Sequence, residues 1–153
     1  MTSTRAQDGR PIAVDAMGGD KAPSVVIEGA VLACNSGAGP LILVGNRTQL
    51  EDELQRLGAA ELPITIHHAS ERIAMGENPA RAARRKQDSS MHACFRLVES
   101  GDACATVTAG NSGAFLAVGL LTVRRLKKCE RPCLVTSLPT QPNPTVLLDI
   151  GAN

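Results

Sequence analysis

Apolar and polar positions fall in short blocks along the chain, and the blocks alternate between two periods. Ile12 to Asp15 is a short apolar run leading into a turn, Met17-Gly18-Gly19-Asp20. Pro23 suits the first turn of a following helix, where its missing N–H costs nothing. The expected apolar stripe of that helix is Val25, Val26, Gly29 and Leu32. Leu41 to Val44 reads as a second strand, closed by Gly45-Asn46. A helix from about Thr48 to Leu57 follows, with Leu50, Leu54 and Leu57 at helical spacing and Gly58 as its stop. Pro63 to His67 is a third strand. A long polar stretch, Glu71 to Lys86, then precedes Met91, Cys94, Phe95 and Val98. These recur at i, i+3, i+4 and i+7, one buried face of a helix ending at Gly101. Ala103 to Thr108 is a fourth strand. Gly110-Asn111-Ser112-Gly113 turns it into an apolar helix reaching about Leu126. Leu134 to Thr136 and Val146 to Ile150 read as two more strands, separated by a proline-rich loop.

Strand–helix alternation of this kind predicts an α/β fold with a mainly parallel sheet covered on both faces. Nothing in the pattern resembles an interdomain linker or an internal repeat. Residues 1–11 are polar and read as a flexible leader, and residues 12–153 as one domain. The chain stops where another loop-to-helix turn begins, at Gly151-Ala152-Asn153, which suggests a truncated protein.

Composition narrows the picture in three ways. A net charge of +1 gives no global attraction for nucleic acid or an anionic membrane surface. Two Phe and no Tyr or Trp leave the core to Ala, Val, Leu and Ile, and remove the stacking platforms of a single-strand nucleic-acid binder. The five cysteines match no disulfide framework, which favours a reducing, cytoplasmic compartment. Cys94 and Cys104 read as buried free thiols, and Cys129 and Cys133 as incidental ones. The apolar run Gly113 to Val123 falls well short of the roughly 20 residues of a membrane span.

Three segments are candidates for chemistry. In Arg84-Arg85-Lys86-Gln87-Asp88-Ser89-Ser90-Met91, Asp88 or Ser89 is a suitable N-cap for the Met91 helix. Basic side chains just before a helix start oppose its macrodipole, an arrangement that makes sense if an anion binds there. The alternative is a solvated helix from Pro79 with Arg81, Arg84 and Arg85 facing water. The second segment, Thr108-Ala109-Gly110-Asn111-Ser112-Gly113-Ala114, lies at a strand's carboxyl end, where parallel sheets collect ligands. Its glycines allow close backbone approach, Asn111 and Ser112 supply polar groups, and Ser112 is a possible cap. The bland alternative is a tight capped turn. In the third segment, Asp15-Ala16-Met17-Gly18-Gly19-Asp20-Lys21, a strand-end carboxylate precedes a glycine turn that is neither a Walker loop nor a G-x-G-x-x-G fingerprint. His67-His68 point to opposite faces of a strand and cannot share a metal there.

Taken in order, these segments are more specific than any one alone. Ile12-Ala13-Val14-Asp15-Ala16-Met17-Gly18-Gly19-Asp20, Leu43-Val44-Gly45-Asn46, and Lys86 with Asp88-Ser89-Ser90-Met91 come first. Ala109-Gly110-Asn111-Ser112-Gly113-Ala114, Arg131-Pro132, Leu138-Pro139-Thr140 and Leu147-Leu148-Asp149-Ile150-Gly151-Ala152-Asn153 complete the series. From about Ile12 to Asn153 the chain closely resembles the N-terminal half of the phosphate acyltransferase (PlsX) family. The resemblance implies a three-layer α/β/α sandwich similar to isocitrate and isopropylmalate dehydrogenases. It implies transfer of a fatty acyl group from acyl carrier protein to inorganic phosphate, giving acyl phosphate for phospholipid synthesis. It further implies a homodimer, no metal or nucleotide cofactor, and a peripheral membrane contact through a region beyond Asn153.

On that chemistry Lys86 and Asn111 are the expected catalytic residues. Lys86, Arg84, Arg85 and the Ser89-Ser90 helix start would hold the dianion, and the Asn111 amide with nearby N–H groups would face the thioester oxygen. Asp15, Gly18, Gly19, Asp20, Gly110, Ser112 and Gly113 complete the expected substrate site. Where the family commonly has Ser-Ala-Gly-Asn-Thr-Gly, this chain has Thr108-Ala109-Gly110-Asn111-Ser112-Gly113, keeping a hydroxyl at each changed position. Two other readings are a non-catalytic fragment or carrier-protein-binding module, and a nucleotide-binding dehydrogenase-like domain. The second would need a glycine fingerprint and a ribose-binding acid, neither of which is in place. A truncated parallel sheet is also expected to expose apolar edges.

Overall fold

The computed structural model describes residues 9–149. Most of the expected leader and the closing residues 150–153 lie outside them. The ordered elements are β1 (Ile12–Asp15), α1 (Ser24–Asn35), β2 (Leu41–Gly45), α2 (Arg47–Arg56), β3 (Ile64–His68), α3 (Pro79–Arg85) and α4 (Ser90–Ser100). They continue with β4 (Ala105–Val107), α5 (Ser112–Thr122), β5 (Val135–Leu138) and β6 (Thr145–Leu148).

The first four strands form one parallel sheet in the order β3-β2-β1-β4. Its two central strands, β1 and β2, are apolar on both faces, as strands covered on both sides require, while the edge strands β3 and β4 are more exposed. Ile12, Val14, Leu41 and Leu43 pack with Ile27, Ala30 and Leu50, under α1 and α2. Ala13, Ile42 and Val44 pack on the other face with Ala93, Cys94 and Leu97 of α4. Outside α4 lies a further layer, in which Met91 and Phe95 meet Ala82 and Ala83 of α3 and Ala114 and Val118 of α5. The expected Met91–Cys94–Phe95–Val98 face is therefore one of two. Ala93 and Leu97 are buried as well, because α4 has sheet on one side and helices on the other. The Phe95 and Phe115 rings meet at 4.8 Å between centroids, tilted by 48°.

Three expectations need correction, and one alternative reading is realised. The buried face of α1 is Ile27 and Ala30, with Val31 and Cys34 partly covered, whereas Val25 and Leu32 are 52% and 68% exposed and Gly29 is exposed. Glu28 decides this. It sits three or four positions from Val25 and Leu32, on their face, and reaches Arg56 of α2 at 3.2 Å in solvent. The polar stretch before α4 contains the solvated helix from Pro79 given above as the alternative: α3 is begun by Asn78, whose side chain accepts the Arg81 N–H at 3.0 Å, and by Pro79 at its first position, with Arg81, Arg84 and Arg85 exposed. Helix α5 ends at Thr122 rather than near Leu126, since Arg124 adopts φ 67, a left-handed conformation that no helix continues. Finally, β5 and β6 do not extend the parallel sheet. They form a separate antiparallel hairpin with every strand position but Leu147 exposed. The connection 139–144 is too short for the dozen or more residues that a parallel crossover needs.

The outer edge of β4 pairs with no strand among the described residues, and Val107 there is 54% exposed. Cys94 is buried as expected, and burial, with a smaller contribution from the Asp15 charge, pushes its thiol well up. Cys104 is only partly buried.

The assignment of the α1 face is checked by urea denaturation of two variants. Ile27→Ala should cost about 2–5 kcal/mol, the range for truncating a buried aliphatic side chain. Leu32→Ala should stay within about 0.5 kcal/mol, as surface changes do.

Candidate functional site

Strands β1 and β4 are neighbours, yet the chain leaves them on opposite faces of the sheet. From β1 it enters α1, and from β4 it enters α5 on the α4 side. Their connecting loops part above the carboxyl ends, which is where open α/β sheets bind ligands. Asp15, the last residue of β1, is 2% exposed there. Its Oδ1 accepts the Met17 N–H at 3.2 Å, and its Oδ2 accepts the Thr108 hydroxyl at 2.8 Å. Thr108 Oγ1 in turn accepts the Gly110 N–H at 2.9 Å.

Gly18 lies against this pair. A Cβ there would fall 2.6 Å from Thr108 Oγ1, 2.7 Å from Asp15 Oδ2 and 3.0 Å from the Gly110 nitrogen. Gly19, at φ 107, backs onto the Ala109 carbonyl. The expected site residues Asp15, Gly18, Gly19 and Gly110 are thus in one place, and Thr108 joins them.

Lys86 and Asn111 meet around a second feature, the strap 70–78. Lys86 caps the end of α3 and places Nζ 2.6 Å from Glu77 Oε1 and 2.8 Å from the Arg72 carbonyl. That ammonium, together with the Ala74 N–H, holds the Glu77 carboxyl below the usual range. Asn111 is 7% exposed and fully engaged. Its Oδ1 caps α5 by accepting the Ala114 N–H at 3.0 Å, a role also open to Ser112 from the sequence. Its Nδ2 donates to the Met75 and Glu77 carbonyls, each at 3.1 Å. Gly113 packs α5 on the start of α3, where an added Cβ would meet Pro79 Cγ at 2.8 Å. Ser90 N–H donates to the Glu71 carbonyl at 3.0 Å. Asp88, held below its ordinary pKa first by the Ser70 hydroxyl and then by the Ser70 N–H, ties down the other end of the strap.

Ser89, rather than Asp88, caps α4, and both it and Ser90 are buried. The Ser89 hydroxyl lies 2.9 Å from His92 Nδ1. His92 Nε2 is buried without a hydrogen-bond partner among the described residues. Desolvation, reinforced by the Arg96 charge, lowers the His92 pKa. The Ala83 and Lys86 carbonyls lie close enough to offset this in part, though not in hydrogen-bonding alignment.

Hollows adjoin these features. One of about 450 Å³ sits at the ends of β1, β2 and β3, lined by Met17, Pro23, Asn46, Gln49, Ser70 and Arg72. Another, about 320 Å³, runs along β4 past Thr108, Gly110, Ser112 and Phe115. A third, about 290 Å³, is lined by Glu77, Asn78, Arg81, Ala82, Arg85 and Lys86. Lys86 and Asn111 therefore hold one strap without lining one hollow, and Ser89 lines none of the three. Arg84 and Asp20 are exposed. His68 accepts the Arg47 N–H at the start of α2. No group of three or more His, Cys, Asp or Glu among the described residues is placed to hold a metal. No helix among them is long and apolar enough to cross a membrane.

From the sequence Thr108 stands only inside the second candidate segment, with no role assigned, and Glu77 is not singled out. Thr108 had a usable signal, a hydroxyl at the last position before a glycine turn. Glu77 had only its place before Asn78-Pro79.

An open parallel sheet with helices on both faces, and two glycine turns locked together above its strand ends, defines a layered α/β protein. The chain belongs to the family of fatty acid synthesis proteins, whose model matches residues 11–153. It is 46% identical over 142 residues to the phosphate acyltransferase of Trichlorobacter lovleyi, covering 93% of this chain and 41% of that protein. Identity to the phosphate acyltransferases of Geobacter sulfurreducens and Oleidesulfovibrio alaskensis is 47% and 48%, over the same shares of each chain. The chain spans about two fifths of the length of these relatives.

His92 sets a pH dependence. Its folded pKa lies below its ordinary 6.5, so below that pH the unfolded chain takes up a proton that the folded chain resists. Unfolding free energy, read in urea, should fall as pH drops from 7.5 towards 5, and His92→Gln should flatten that slope. The contributions of Glu77 and Asp88 are lost at lower pH, as each falls through its depressed carboxyl pKa.

Proposed function

We propose that this chain forms part of an enzyme that transfers a fatty acyl group from acyl carrier protein to inorganic phosphate, giving acyl phosphate for phospholipid synthesis. The observation that carries this is the 46–48% identity, across 93% of the chain, to proteins named phosphate acyltransferase. The chemistry needs a positioned phosphate, a stabilised oxyanion and exclusion of water. It needs no redox or nucleotide group.

The third hollow suits the first requirement. Arg81, Arg85 and Lys86 converge on it, with Arg84 on the same short helix. Glu77 pairs with the Lys86 ammonium, and a phosphate dianion would compete for it. Asn111 serves by tying the strap that carries Glu77 to the start of α5, since its Nδ2 donates to the strap and its Oδ1 caps the helix. Ser89 and Ser90 fix the start of α4 beneath. The glycine turns at Gly18, Gly19 and Gly110, with Ser112 and Gly113 at the start of α5, would lie beside the acyl carbonyl.

A homodimer and a peripheral membrane contact belong to the same proposal. Apolar side chains at the β4 edge, along α5 (Leu120, Leu121) and on the hairpin (Val135, Val146, Leu148) are exposed where covering surfaces would lie.

The test is acyl phosphate formation from acyl carrier protein thioester and phosphate, run on this chain beside one of its longer relatives. Replacing the lysine matching Lys86 by Ala in the relative should lower turnover about ten- to a hundredfold, the scale of a lost charge-assisted hydrogen bond. Wild-type turnover in that variant would remove Lys86 from the mechanism.

A further inference from the structure

We infer that Thr108 is a positioning residue: it transmits the buried Asp15 carboxylate to the β4–α5 glycine turn and so sets the spacing of the two turns at the switch point. The inference rests on the phosphate-transfer reading for what the turns hold, but the latch itself stands on geometry. Val14 pairs with Val107, so Asp15 and Thr108 are the next residues along two adjacent parallel strands. The Thr108 hydroxyl gives its proton to Asp15 Oδ2 at 2.8 Å and receives the Gly110 N–H at 2.9 Å. A hydroxyl does both at once because it carries one donor and two lone pairs. The other carboxylate oxygen takes the Met17 N–H at 3.2 Å. One backbone amide from each turn is therefore bound to the same two side chains.

Packing leaves this arrangement no slack. Gly18 rests directly on the pair, with an added Cβ 2.6 Å from Thr108 Oγ1. Beneath the second turn, Met91 of α4 reaches within 3.4 Å of where a Gly110 Cβ would stand. Neither turn can shift along the sheet unless the hydrogen bonds break or Gly18 moves out. A ligand spanning the two turns would meet backbone whose separation is set in advance by Asp15 and Thr108, and fixed geometry of this kind is what preorganised sites rely on.

The experiment compares Thr108→Val and Thr108→Ser in this chain. Val keeps the shape and removes both hydrogen bonds; Ser keeps both. Amide hydrogen exchange at Gly110 and Met17 is followed by NMR, and inorganic phosphate is titrated in parallel. Thr108→Val should speed exchange at both amides at least tenfold, while Thr108→Ser stays within about threefold of wild type. Thr108→Ala, which also removes both hydrogen bonds, serves in the same assay with the same expected loss should Thr108→Val not fold. Faster exchange at Gly110 with Met17 unchanged, or wild-type exchange at both amides in a folded Val variant, would overturn the latch. If the wild-type chain does not respond to phosphate, the phosphate reading fails separately. The latch is then judged by exchange alone: coupled loss at both amides upholds it, and independent behaviour overturns it.

Discussion

A carboxylate buried at the end of a central strand is tolerated only if hydrogen-bond donors reach it from the protein. For Asp15 those donors come from the residue two positions on and from a hydroxyl 93 positions away. Much else follows from meeting that demand. β1 and β4 must be neighbours, so the β3–β4 connection must pass over the α4 face of the sheet. Residue 18 must lack a side chain, because Thr108 and Asp15 occupy the space. The two loops must approach closely enough that the backbone of each becomes part of the other's surroundings.

Helix α4 is the second organising element. It is covered on the sheet side and on the α3–α5 side, so its first turn cannot be a solvated basic start of the kind the arginine run suggests. The run divides instead. Arg84 and Arg85 stay in water on α3, while Lys86 turns to hold the strap 70–78. Asn111 reaches the same strap from α5, so a segment with little core of its own is pinned by polar groups from α3, α4 and α5.

The sheet was legible in the sequence, because four apolar runs separated by helical spacing allow few alternatives to a parallel core. The α1 face was not, since its apolar residues fill two overlapping series and only Glu28 tells them apart. The hairpin β5–β6 was misplaced for a reason open to counting, the shortness of the loop between its strands. At the site, the glycine turns and Asp15 were visible as local patterns. Their partners were not, because a pairing such as Asp15 with Thr108, or Lys86 with Glu77, depends on which strands lie side by side. No spacing encodes that.

The tilted contact between the rings of Phe95 and Phe115 has a practical corollary. They are the only two aromatic side chains in the chain, and both sit where α4 meets α5. Any near-ultraviolet dichroism of this protein therefore reports on that one helix junction. A loosening of α5 would erase the signal while β1, β2 and β3 stayed fully formed.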